Sequence, residues 1–320
     1  MPRRLRIMRE EDLESVRQTE AQAFSAWWEK WNPGKGSPAV RSLEMVASCW
    51  RRDPQGCFVM EGDHRLLGSI FSCTWGRVGW FGALGVLPEA QGQGIGKELI
   101  QASVGYMRKE PARLIGLETQ PDVPGNLGLY GRLGFELRLP TVFLMRDVPG
   151  AEGLPASVRL WSEATQTERV RWMEDLRRAA DQITPGLDYS KEILAWGQPG
   201  QGEVLILLDE ETAVGASVLP LIPALDGDRS ALASVRTLFL HPGITMEDGL
   251  GELLQATGYV ASGRGLQSLV VCCNGRHARA LDVLYARGYR AIRSMVRLVL
   301  RGTDDGAVMD GTVDLCRWAG

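Results

Sequence analysis

The 320-residue chain repeats itself, and that repeat constrains its fold more than any single motif. The stretch LRIMREEDLESV at Leu5 resembles VRLWSEATQTERV at Val158, an offset of 153 residues. LGVLP at Leu84 matches LFLHP at Leu238, and LGF ending at Phe135 matches RGY ending at Tyr289, both at an offset of 154. Three separated anchors whose offsets agree within one residue describe two copies of one unit. The run DVPGAEGLPAS, Asp147 to Ser157, is rich in Pro and Gly and reads as the linker between them. A chain of this length that is 44% hydrophobic exceeds one compact core, in agreement with two domains.

Each copy reads in the same order. In the first, a short strand at Leu5 to Met8 precedes a helical segment from Asp12 to Phe24. GCFVME and LLGSIFSCTW follow as a hairpin closed by the turn GDHR, Gly62 to Arg65. A further strand leads into a glycine-rich segment and a helix from about Gly94 to Lys109, with Ile95, Leu99, Ala102 and Tyr106 on one face. ARLIGLE is a strand, GNLGLYGRLGF a short helix with a glycine stop, and LRLPTVFLMR a last strand. The reading is an α/β chain of two units, 1–147 and 156–301, each a mixed sheet with helices on its faces. Residues 302–320 show no motif and read as a tail.

A net charge of −3 and a pI near 5.8 give no overall basic field, which removes the electrostatic argument for nucleic acid as the main partner. The six cysteines show neither paired CxxC spacing nor the density of a small secreted scaffold, and fit free thiols in a reducing cytosol. No apolar signal core follows MPRRLRIMREEDLES, and nowhere do about 18 uncharged apolar residues run together. The expectation is a cytoplasmic protein with no membrane partner and no metal.

The segment LGVLPEAQGQGIGKELI, Leu84 to Ile100, carries the chemistry. A strand that ends in glycines and opens a helix suits an anion, because first-turn N–H groups are unsatisfied and the helix dipole adds positive potential. A plain flexible turn is the alternative. Gly96-Lys97 is followed by Glu98 rather than Ser or Thr, so the segment is no P-loop. The spacing of Gly92, Gly94 and Gly96 also departs from the dinucleotide fingerprint.

What the segment does match is Q-x-x-G-x-G, read as Gln91, Gly92, Gln93, Gly94, Ile95 and Gly96. This resembles the pyrophosphate-binding motif of the GNAT superfamily of acyl-CoA-dependent N-acyltransferases. LETQPDVPGNLGLYGRLGFEL downstream resembles the family's fifth strand and later N...LY...GF segment. The resemblance covers most of residues 3–147 and, more weakly, 156–301; tandem copies of this fold are known in the superfamily. It implies two tandem GNAT-like domains with mixed, mostly antiparallel sheets, and acetyl-CoA as cosubstrate. The pantetheine arm would lie along the backbone of Leu84 and Val86, and Gln91 to Gly96 would cradle the pyrophosphate.

By the same resemblance, Tyr130 stands where the family often places the tyrosine that protonates the CoA sulfur; packing against the sheet is its other reading. Asn126 bonds CoA or caps the short helix. No histidine lies in the glycine or GNLGLY segments, so Glu118, on the fifth strand, is the candidate base unless it faces solvent. Trp27, Trp28 and Trp31 fall in the segment that walls the family's acceptor pocket, or pack in the core.

The second copy keeps Gly249-Leu250-Gly251 but replaces the Gln-Gly-Gln run with Thr245, Met246, Glu247 and Asp248, placing carboxylates where a pyrophosphate would lie. Leu284 occupies the place of Tyr130. This copy reads as structural, closing the acceptor pocket or mediating self-association as a homo-oligomer. The expected function is N-acetyl transfer to a small-molecule or protein amine. A non-catalytic acyl-CoA sensor and a pure interaction module are the alternatives.

Overall fold

A computed structural model of the chain describes residues 3–31, 40–62, 64–109, 112–148, 153–227, 231–303 and 312–316. The GDHR turn, the linker and the tail each lie partly outside them. In the first copy, β1 (Arg4–Ile7) leads to α1 (Leu13–Ala23), α2 (Ser25–Trp31) and α3 (Leu43–Arg52). The hairpin β2 (Phe58–Gly62) and β3 (Arg65–Trp75), β4 (Val78–Val86), α4 (Ile95–Met107), β5 (Leu114–Thr119), α5 (Pro124–Arg132), β6 (Phe135–Leu137) and β7 (Thr141–Asp147) follow. The single last strand read from LRLPTVFLMR is two strands. Pro140, between them, brings no N–H to a sheet ladder. The sequence reading also passed over α3, whose start is set by Ser42: its hydroxyl accepts the Met45 N–H at 3.1 Å.

The second copy runs through the same order: β8 (Val158–Leu160), α6 (Gln166–Ile183), α7 (Ser190–Trp196), β9 (Gly202–Asp209), β10 (Thr212–Pro220), β11 (Leu232–Ser234) and β12 (Thr237–Leu240). Then come α8 (Met246–Gly263), β13 (Ser268–Asn274), α9 (Ala278–Ala286) and β14 (Arg290–Leu300). Among the described residues every strand pair is antiparallel except β4 with β5 and β11 with β13. Helices cover the sheets, as in each copy's sequence pattern.

The two copies exchange their last strands. Val296 to Val299 of β14 pair with Thr119 to Gly116 of β5, and the same end of β14 pairs with β6, so a second-copy strand completes the first-copy sheet. In return, β7 of the first copy pairs with all seven residues of β13 and with the opening half of β14. A cut between 147 and 156 therefore divides the sequence repeat without dividing the sheets. A shared core supports the join: Trp75 and Trp80 pack in one cluster with Trp172, Trp196 and Phe239. At its edge Arg52 and Arg236, one from each copy, both bond the fully buried Glu192. Burial alone would raise the pKa of Glu192, but the two guanidiniums outweigh it and lower it to about 2.

The segment read as a tail holds β15 (Val313–Cys316), a buried strand paired antiparallel with β12. Its four residues are too few for a sequence pattern to register. β15 also lies against β13, so it occupies the second copy's gap between the strands equivalent to β4 and β5. In the first copy that gap is open: β4 and β5 pair only from Val78↔Leu114 to Phe81↔Leu117, and both strands then run on without pairing to each other.

Candidate active site

The opening begins at a bulge. Ile70 and Ser72 of β3 face Leu84 and Phe81 of β4, so β4 carries one extra residue at Gly82–Ala83. Beyond it, β4 presents backbone not bonded to β5 at Leu84 and Val86, the two positions expected to bond a pantetheine arm. Leu84 lines a cavity of about 520 Å³ at the mouth of this gap; Val86 and residues 91–96 lie outside it. The loop from Gln91 to Gly94 is exposed, with Gly92 and Gly94 in the left-handed region at φ 74° and 83°. Gly94 is the N-cap of α4 and no side chain caps the helix, which leaves first-turn N–H groups available to an anion. Gln91 and Gln93 turn back to the carbonyls of Val86 and Glu89, bracing the loop rather than crossing it.

The cavity brings together Glu118, Asn126, Tyr130, Trp27 and Trp28, five residues singled out by sequence. The side chain of Trp31 is outside the described residues. Glu118 does not face solvent: it is 7% exposed, and its Oε1 accepts from Arg297 Nε at 3.1 Å, from Arg297 Nη2 at 3.0 Å and from the Thr141 hydroxyl. Its Oε2 is buried with no hydrogen-bond partner among the described residues. Arg297 stands directly across from Glu118 on β14, with its guanidinium 5.1 Å from the centre of the Trp80 ring. The exchanged strand thus fixes one carboxylate oxygen and leaves the other open.

Tyr130 packs in the core and also reaches the cavity. Its ring packs in α5 against Phe81 and Phe135, with centroids 6.1 Å away in each case, while the residue lines the cavity. Burial pushes its phenol pKa well above the usual value, so it is protonated at neutral pH. Asn126 is not the cap of α5, whose N-cap is Val123; its Nδ2 donates to the Thr119 hydroxyl at 3.1 Å.

The residues behind three features of the cavity were not singled out from sequence, because distant segments bring them together. Glu20, 3% exposed, is held by Arg41 in a two-pronged ion pair. The second copy contributes Pro220 to Leu225, Leu232 and Ser234 to Arg236. The same face of β14 supplies Arg293 and Met295. The second copy therefore walls one side of the cavity.

The matching cradle in the second copy is wound into helix. α8 begins at Met246, three residues before Gly249, whereas α4 begins one residue after Gly94, so the equivalents of Gly92 to Gly94 are helical. Gly249 and Gly251 serve packing there: a Cβ would lie 2.9 Å from Ile244 and Leu240 at the first, and 2.3 Å from the Arg287 guanidinium at the second. With the gap filled by β15 as well, calorimetric titration with acetyl-CoA is expected to give a stoichiometry near one per chain. A value of two would mean that β15 leaves its gap.

An opened sheet beside an uncapped, glycine-started helix is the layout of a GNAT domain, and residues 15–135 match the acetyltransferase (GNAT) family. The chain carries a GNAT-family acetyltransferase domain in its first copy. Mycothiol acetyltransferase of Rhodococcus jostii is 35% identical over 144 residues, 41% of this chain and 45% of that relative, so the match spans less than half of the relative's length. Two solved structures share the fold over nearly the whole chain. One is a GCN5-related N-acetyltransferase from Sphaerobacter thermophilus, with TM-score 0.61, 15% identity, and 96% and 98% of the two chains covered. The other is a tandem GNAT protein from the clavulanic acid biosynthesis pathway, with TM-score 0.57, 14% identity, and 93% and 98% covered.

Proposed function

We propose that this chain transfers an acetyl group from acetyl-CoA to a primary amine of a small molecule, with the chemistry in the first copy and the acceptor wall in the second. The observation that carries this reading is the meeting, in one cavity at the mouth of the opened sheet, of the unpartnered Glu118 Oε2 and Tyr130. The gap and the uncapped start of α4 fit a pantetheine arm and its pyrophosphate. Glu118 Oε2 takes a proton from the incoming amine, whose nitrogen bonds the acetyl carbon as the C–S bond breaks. Tyr130 gives its proton to the departing thiolate. The enclosed amine is held close to the thioester and away from bulk water. A carboxylate–phenol relay of this kind needs no histidine, and none of the three histidines lines the cavity.

The reading is tested by titrating the protein with acetyl-CoA and then following thiol release over a panel of small amines. Binding without release for any amine would leave a sensor, and absence of binding would leave an interaction module. Tyr130→Phe keeps the ring contacts with Phe81 and Phe135 and removes the proton. Its kcat is expected to fall by about 10²-fold with acetyl-CoA affinity and melting temperature close to wild type. Turnover at the wild-type rate would assign the proton to water or another group.

A further inference from the structure

The cavity carries charged side chains that the proposed chemistry does not use. Among the described residues four arginines line it: Arg17, Arg41, Arg236 and Arg293. The first three are engaged by carboxylates, Arg17 by Glu14 and Asp226, Arg41 by Glu20, and Arg236 by Glu192. Arg293 is different. Among the described residues no carboxylate lies within ion-pair distance of it; its guanidinium rests on the Phe143 ring, 4.1 Å from the centroid. A ring face takes up none of the guanidinium's conventional hydrogen bonds, so its N–H donors remain able to bond an anion.

β14 sets the spacing between this cation and the proposed base. Residues 293, 295 and 297 share one face of the strand, and Arg297 is directly opposite Glu118. Strand rise puts Arg293 about 13 Å along from Arg297, and so about the same distance along the sheet from Glu118; allowing about 3 Å for the bond to the guanidinium leaves a span on the order of 10 Å for an occupant. Met295 lies between them, and Phe24, Trp27 and Leu232 are apolar neighbours on the same cavity. The Trp27 indole N–H is buried with no partner among the described residues, a donor for an oxygen of the occupant.

We infer that the acceptor is an amine that carries an anionic group at its far end, carboxylate or phosphate, bound by Arg293 across an apolar middle section on the order of 10 Å long. This rests on the acetyl-transfer reading, of which it names the substrate class. The phosphates of acetyl-CoA are not the group meant, since the glycine loop lies outside this cavity.

The test uses the full chain with ω-amino acids of increasing length, each beside the alkylamine of equal length, and thiol release as the readout. Wild type is expected to favour the amino acid by about tenfold to hundredfold in kcat/KM near the matching length. Arg293→Met should bring that ratio close to one, and Arg293→Glu should turn it in favour of the corresponding diamine. Wild-type release with amino acids and alkylamines alike overturns the inference and leaves acetyl transfer standing. Release with no amine at all overturns both. Loss of acetyl-CoA binding in Arg293→Glu, read by calorimetry, overturns the inference by assigning Arg293 to the cosubstrate.

Discussion

Replacing Glu118 by glutamine should lower kcat by about 10²- to 10⁴-fold while acetyl-CoA still binds. The amide is nearly isosteric: its oxygen still accepts from Arg297 and Thr141, and its NH₂ takes the place of the open Oε2, which is the atom proposed to receive the proton. What the variant loses inside the fold is the counter-charge of a guanidinium that is 4% exposed, so a lower melting temperature is expected too. Kinetics measured well below that temperature, with acetyl-CoA affinity as the control for folding, separate the two effects. The deficit should narrow as pH rises, because solution then supplies the amine already deprotonated. If the glutamine enzyme works at the wild-type rate at neutral pH, Glu118 is a structural member of the Arg297–Thr141 network and the base lies elsewhere.

The second large effect is expected at Gly94. Gly94→Glu should weaken acetyl-CoA binding by at least about 10³-fold, since it puts a carboxylate at the uncapped start of α4, where like charge meets the pyrophosphate. Gly94 has φ 83°, so any side chain there also costs about 1–2 kcal/mol of strain. Gly94→Ala carries the strain without the charge and isolates it: this variant should melt earlier yet keep most of its affinity. Equal loss of affinity in both would mean that loop shape, not charge, decides binding. The corresponding change at Gly249 is no clean control, because a Cβ there meets Ile244 and Leu240 at 2.9 Å and disturbs the second core.

Local features of the chain were the ones its sequence disclosed. The hairpin, the helix after the glycines and the short helix carrying Tyr130 depend on periodicity and turn residues close in sequence, and the structure places them within one or two residues of their expected bounds. Strand exchange left no such mark. MVRLVL has the same alternation whether it pairs within its own copy or with β5, and only the completed sheets decide between the two. The anchoring of Glu118 was hidden for the same reason: its carboxylate was visible on the fifth strand, but Arg297 stands 179 residues away. β15 was missed because four residues carry too little pattern, and α3 because the aromatic run before it drew attention to a different helix.

Exchange of the last strands has a consequence for how the protein is made. The ribosome adds roughly 5–20 residues per second, so Arg297 emerges roughly 9–36 s after Glu118. For that interval the nascent first copy has its glycine loop and hairpin, but β5 lacks the neighbour that completes its sheet, and its open edge is a site for wrong pairing. The copy that is translated first is completed only once most of the second has been made. A message that stops after residue 147 would give a chain with the cradle in place and no arginine to set its carboxylate.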